Sequence, residues 1–274
     1  MKQTKTISGK IAAYPHIFWS VLFIVLPLLF VIYFAFTTPD GAFTLDNISA
    51  LREHASTFVL SVSLSVIATF FCFILGYPLA YIMAHAEPKH QKLYMTLLML
   101  PMWTNLLIRT YSMMAIMDDA GMINTFLKAV DMGTLHMIGT KAAVVFGMAY
   151  DFFPYMVLPL FTAISKIDKS LVEASADLGG SHLKTMTRVI LPLSSSGIIS
   201  GITMVFVPSI STFYISQKLG GGTFDLLGDA IERQFQNVNT YNVGAAISLV
   251  MMILVLASLY VMNRFAGEEG GANA

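Results

Sequence analysis

Apolar positions in this chain come in long blocks, not in strict alternation. Ile17 to Phe36 carries no charged residue, and Ala55 to Ala86 holds no Asp, Glu, Lys or Arg, with Phe58–Ile82 at its centre. Leu93–Met117 is broken only by Arg109, and Ala142–Ser165 only by Asp151. Val189–Gln217 and Gln234–Asn263 are again free of those four residue types. At about 1.5 Å rise per residue, about 20 such residues cross the hydrocarbon of a bilayer. Backbone polar groups there must bond within the chain, which leaves helices or a closed barrel, and a barrel reads as short alternating segments. The pattern predicts an all-α integral membrane protein with six transmembrane helices.

Composition supports lipid as the solvent. Of 274 residues, 56% are hydrophobic and 12% charged, with a mean hydropathy of +0.70. A soluble domain carries about 25% charged residues, so half that number cannot cover a globular surface. Zero formal net charge gives no reason to expect nucleic acid. The first block exceeds the apolar core of a signal peptide and reads as a retained span. The lone cysteine, Cys72, sits inside an apolar block and reads as a buried thiol. The eighteen methionines read as flexible packing. No histidine pair has metal-ligand spacing.

Basic residues in loops orient the spans. With the N-terminus inside, Lys2, Lys5, Lys10, Lys89, Lys92, Lys166, Lys169, Lys184, Arg188 and Arg264 are cytoplasmic. Arg52, Lys128, Lys141, Lys218 and Arg233 fall outside, ten against five, and both termini are then cytoplasmic. Residues 1–16 form a cytoplasmic lead, 17–263 the membrane domain, and 264–274 a disordered tail. Prolines recur within the blocks, at Pro27, Pro78, Pro101, Pro154, Pro159 and Pro208, which suits bent helices around a path.

The inner loop 166–188 carries its own structure. Ser170 and Glu173 have capping-box spacing, which predicts a short helix from Leu171. Gly179-Gly180 can supply the left-handed residue that ends it, and Ser181 can begin a second short helix running toward Val189. Such a helical hairpin outside the bilayer serves either as a docking surface or as a well-capped connector.

Glu173-Ala174-Ser175, then Gly179, then Val189-Ile190-Leu191-Pro192 resemble the EAA loop of ABC importer permeases, E-A-A-x3-G-x9-I-x-L-P. The spacing matches without a gap; Ser175 stands for the second Ala and Val189 for Ile. The resemblance implies a type I ABC importer permease fold and a coupling helix that docks on a separate ATP-hydrolysing subunit through Glu173, Ala174, Gly179, Leu191 and Pro192. Glu173 can either accept a salt bridge from that partner or serve its own helix start. This chain has no G-x-x-x-x-G-K-[ST] loop, so it is read as a transport subunit and not an enzyme, with ATP and Mg bound by the partner.

Leu100-Pro-Met-Trp-Thr-Asn-Leu-Leu-Ile-Arg109-Thr-Tyr111 resembles the third span of spermidine/putrescine permeases, and Thr44-Leu-Asp-Asn47, Leu75-Gly-Tyr-Pro78 and Ala176-Asp-Leu-Gly179 fit the same subfamily. The likeness runs from about Trp19 to Asn263 and points to the first permease of the pair. It implies a second homologous permease chain, a dimer of ATP-binding subunits and an extracytoplasmic polyamine-binding protein. It also places the chain in the bacterial inner membrane.

A path for a polycation needs carboxylates or π faces in low dielectric. Asp151 costs about 3 kcal/mol to place at the bilayer centre and is a candidate for that reason. Tyr150, Trp103, Asn105, Tyr111 and Tyr214 are the other candidate path residues. Asp151 can instead pair with Arg109, whose charge repels a polyamine and suits a structural or gating role. Asp225, Asp229 and Glu232 near the outer mouth can attract cations, dock the binding protein or simply be solvated. A permease for another small solute needs no Asp151 on the path. A self-sufficient secondary transporter needs an ion-coupling site and an internal repeat, and neither is visible.

Overall fold

The computed structural model describes residues 7–270, and among them the regular structure is helical apart from one isolated bridge, Thr37 with Phe43. In chain order the helices are α1 (Ile7–Ser20), α2 (Leu26–Ala35), α3 (Asp46–Ser49), α4 (Ala55–His85) and α5 (Pro88–Met99). There follow α6 (Leu106–Met117), α7 (Met122–Ala129), α8 (Lys141–Ile164), α9 (Lys169–Asp177) and α10 (His182–Thr185). The last are α11 (Leu191–Leu193), α12 (Ser195–Ser211), α13 (Tyr214–Leu219), α14 (Leu227–Gln236) and α15 (Tyr241–Gly270).

Four stretches are long and apolar enough to cross a membrane: Tyr14–Ala35, α4, α8 and Tyr241–Met262. A fifth forms if the pair His182–Leu193 and Ser195–Ser211, bent by 69°, is one span. The expected third span is two twelve-residue helices, α5 and α6, parted at Leu100–Asn105. Each is about 18 Å long, so six spans are reached only by counting that broken pair as one. Pro101 sits in a 3-10 turn there, and Thr104 and Asn105 are extended. Asn105 then caps α6 by accepting the Leu107 amide at 2.8 Å.

Two boundaries differ from the sequence reading. The final span starts at Tyr241, not Gln234, because the polar segment before it forms the separate helix α14. The tail expected to be disordered from residue 264 is helical through Gly270; the first glycine after the span is Gly267, and Arg264, Ala266, Glu268 and Glu269 are good helix formers. The remainder of the tail, 271–274, and the start of the cytoplasmic lead, 1–6, lie outside the described residues.

Two π turns, Val21–Val25 and Met186–Ile190, each stand just before a proline, Pro27 and Pro192. A proline ring clashes with the carbonyl four residues back, and a π turn moves that carbonyl aside.

The chain divides into two compact units. In the unit of residues up to Ala55 with Ala230–Ile253, the carbonyls at the end of α2 are captured by two asparagine amides. Asn47 donates to Ala35 and Thr37, and Asn242 donates to Phe34 and Thr37, at 2.6–3.2 Å. Ala35, Ala245, Ala246 and Leu249 form its small core.

The other unit, Ser56–Asp229 with the end of α15, is built on α4, α8 and α12. Met83, Met148 and Met156 are fully buried in it, and Cys72 is buried as expected. Gly197 and Gly201, four residues apart, face α8: a Cβ on Gly197 meets Ala163, and one on Gly201 meets the Met156 sulfur at 2.7 Å. This small-x3-small face lets backbones approach closely where lipid gives no hydrophobic drive for helix association. Gly201→Leu should lower detergent stability by about 1–3 kcal/mol through overpacking, read as a fall in thermal midpoint, while Ser200→Leu on the exposed neighbour should not.

Candidate functional site

The hairpin of loop 166–188 forms largely as its sequence implies, with one correction. Helix α9 begins at Lys169, and its N-cap is Asp168, whose side chain accepts the Ser170 amide at 3.0 Å. Both Asp168 and Ser170 are favoured capping types, and the earlier one starts the helix. That amide bond holds the Asp168 carboxyl below its ordinary range, so the cap is ionised at neutral pH. Glu173 is therefore not a capping-box residue; it is exposed on the helix with Ala174.

The turn after α9 is a Schellman motif. Gly180 donates to Ser175 O and Gly179 to Ala176 O, both at 2.9 Å, and Gly179 has φ +76°. A side chain on Gly179 meets nothing, so conformation alone requires glycine there. A Cβ on Gly180 would lie 2.6 Å from Ser175 O, so the second glycine of the pair is required for close approach and not for a left-handed φ. Ser181 caps α10 by accepting from Lys184 N. The departure Ser175 has a use: its hydroxyl bonds the Thr185 hydroxyl at 2.8 Å and ties α9 to α10.

Ile167, Val172 and Met186 pack against the buried cluster that contains Ile190, so the hairpin is seated on the core of α4, α8 and α12. Its outward face carries Glu173, Ala174 and the exposed Leu178 and Leu183, which are 89% and 75% accessible. Leu191 and Pro192 are exposed just before the 69° bend. At the bend Ser194 is buried; its hydroxyl donates to Leu191 O at 3.1 Å and lies 2.9 Å from the Tyr77 hydroxyl of α4. Tyr77 belongs to Leu75-Gly-Tyr-Pro78, and Gly76 beside it packs on Met156 and Val157. The hairpin and the bend are thus braced by the same helix.

The candidate path residues separate into four places. Asp151 on α8 is 1% exposed, and its Oδ1 lies 3.1 Å from Arg109 Nη1 of α6. The approach lacks hydrogen-bond alignment, so both carboxylate oxygens and Arg109 Nε and Nη1 have no hydrogen-bond partner among the protein groups. Tyr150 lines an apolar cleft of about 790 Å³ with Leu97, Pro101, Phe146 and Phe153. Trp103 is 74% exposed at the α5–α6 break, and Asn105 uses its side-chain oxygen as the α6 cap.

Tyr111 of α6 and Tyr214 of α13 do come together, edge to face at 6.1 Å. Lys218, one turn beyond Tyr214 on α13, places its ammonium 5.3 Å from the Tyr111 ring centre and 5.7 Å from that of Tyr214. The i, i+4 spacing of Tyr214 and Lys218 is the sequence signal that locates this lysine. Asp229 fixes α13: it is 3% exposed, accepts from Ser216 Oγ at 2.9 Å and from Leu226 N at 2.8 Å. It is a buried clamp, not a charge lining an outer mouth.

Residues 76–267 match the family described as the binding-protein-dependent transport system inner membrane component. Over 258 residues the chain is 36% identical to the spermidine/putrescine transport system permease protein PotB of Haemophilus influenzae, covering 90% of each. To PotB of Escherichia coli it is 39% identical over 256 residues, covering 90% of this chain and 93% of that one. Its fold matches a chain of a bacterial ABC transporter involved in the import of the acidic polysaccharide alginate, with TM-score 0.80 over 94% of each chain at 16% identity, a likeness of fold alone. The permease names of these relatives agree with a chain that carries no nucleotide-binding loop. The chain belongs to the family of binding-protein-dependent transport system inner membrane components.

Proposed function

We propose that this chain is one of two related permease subunits of an ATP-driven polyamine importer, supplying half of the path for spermidine or putrescine. The observation that carries the cargo is identity of 36% and 39% to two spermidine/putrescine permeases along nine-tenths of the chain. The paired tyrosines around an ammonium support it chemically. Both termini lie in the cytoplasm, on the basic-residue count of the loops. The partners are a second permease chain, two ATP-binding subunits that hold ATP and Mg, and an extracytoplasmic binding protein that delivers polyamine.

In this reading the outward face of the loop 166–188 hairpin, with Glu173, Ala174 and Gly179, docks on the ATP-binding subunit. Leu191 and Pro192 pass its movement to the bend at Ser194. ATP binding closes the partner subunits and opens the path outward to the loaded binding protein; hydrolysis resets it. Arg109 and Asp151 act as a neutral internal pair that holds α6 to α8, while Trp103, Asn105, Tyr111, Tyr150 and Tyr214 are assigned to the path side.

Proteoliposomes holding both permeases and the ATPase, with binding protein outside and ATP inside, should accumulate labelled spermidine or putrescine. ATPase activity stimulated by some other loaded binding protein, without polyamine uptake, would discard the cargo and keep the importer.

Gly179→Leu puts a branched side chain on a left-handed residue, and Gly180→Val drives a Cβ into Ser175 O. Both should leave membrane insertion intact and abolish the stimulation of ATPase by loaded binding protein. Normal stimulation in both would remove the coupling role from this turn.

Asp151→Asn leaves a guanidinium buried without its counter-charge, at a cost of about 3–5 kcal/mol. It should lower assembly yield, and the neutral pair Asp151→Asn with Arg109→Gln should restore most of it. Restored assembly with lost uptake would place the pair on the path; restored uptake assigns it to the fold.

A further inference from the structure

Lys218 presents its ammonium to two tyrosine rings at once, with both ring centres inside the roughly 6 Å reach of a cation–π contact. Among the described residues no carboxylate pairs with it. The rings are held from two sides: Tyr111 by α6, whose Arg109 two residues earlier meets Asp151, and Tyr214 by α13, which Asp229 clamps through Ser216. The cup therefore joins α6 to α13 on an accessible face of the chain, with Tyr111 47% exposed and both backbones fixed by the fold.

A lysine side chain is a primary ammonium on a four-carbon stem. That is one end of putrescine and of the four-carbon arm of spermidine, tethered to the protein. We infer that Tyr111 and Tyr214 form a primary-ammonium site for the cargo and that Lys218 is its built-in, displaceable occupant. The inference rests on the polyamine reading and deepens it. A bare aromatic cup facing a water-filled path would attract any small cation. A tethered ammonium fills it at high effective concentration, because its stem is short and anchored one helical turn away. A free cation must beat that occupant, and a molecule with several ammoniums has further charges to gain elsewhere on the path. When cargo leaves, Lys218 returns to the rings and displaces it, so the same residue raises the threshold for entry and assists release.

The test is equilibrium binding of labelled putrescine to the assembled complex of both permeases and the ATPase in nanodiscs, without the binding protein. Lys218→Met removes the competitor and should tighten binding about fivefold, the value of one cation–π contact of about 1 kcal/mol. Lys218→Arg keeps a cation over the rings and should leave affinity near that of the unmodified complex. Tyr111→Leu and Tyr214→Leu should each weaken binding by a similar factor, whereas Tyr111→Phe and Tyr214→Phe, which keep the ring, should weaken it far less. A purely structural role for these residues would not separate Phe from Leu or Arg from Met in this way. Unchanged or weaker binding by the Lys218→Met complex, at normal assembly yield, overturns the displaceable occupant while leaving the polyamine reading in place. No putrescine bound by the unmodified complex, with stimulation by another loaded binding protein intact, overturns both.

Discussion

Hydrocarbon offers backbone groups no partner, so each interruption of a helix has to be satisfied from within the protein. This chain interrupts its helices repeatedly and meets the requirement at several of the breaks. The end of α2 gives its carbonyls to the amides of Asn47 and Asn242. The gap before α6 is closed by Asn105, and the bend before α12 by Ser194 with Tyr77 behind it. Two of the chain's prolines, Pro27 and Pro192, are preceded by π turns that absorb the displaced carbonyl. These devices let the chain bend at chosen places while the backbone groups named here keep partners.

Bends of this kind matter because they decide what moves as a body. The loop hairpin is fixed to the core of α4, α8 and α12 by Ile190 and its neighbours, and α12 is fixed to α8 by Gly197 and Gly201. Ser175 and Thr185 tie α9 to α10, which runs through the π turn to the bend at Ser194. The aromatic cup lies on α6 and α13, on elements that begin after other breaks, at Asn105 and at Thr212. Chain breaks thus separate the braced hairpin from the tyrosines that meet the Lys218 ammonium.

The spans, the lone buried cysteine, the methionine packing and the double-glycine turn were legible in the sequence because each follows from a local rule of length, polarity or φ. The N-cap at Asp168 was not, since Asp168 and Ser170 satisfy the same rule two residues apart and only the folded chain chooses. The split of the third span into α5 and α6 was hidden in the same way: Pro101 signals a kink, but kinked and broken helices share that signal. Asp229 read as a mouth charge because nothing local reveals that Ser216 and the Leu226 amide will enclose it. Lys218 was counted for orientation, and the meeting of its ammonium with Tyr111 spans more than a hundred residues of sequence. The Arg109–Asp151 pairing was foreseen because two charges in apolar blocks call for each other, whereas contacts of polar residues with neutral partners gave no such signal.

The Arg109–Asp151 pair has a consequence in the language of voltage. Carrying one elementary charge across a membrane potential of about 100 mV is worth about 2.3 kcal/mol. A lone Arg109 on a moving helix would therefore tie the protein's conformational cycle to the membrane potential. Bound within 3.1 Å of a carboxylate, it moves as half of a neutral dipole, and displacement of α6 with α8 along the membrane normal transfers no net charge. The pair then leaves the protein's own movement free of the electrical work that a lone buried Arg109 would add.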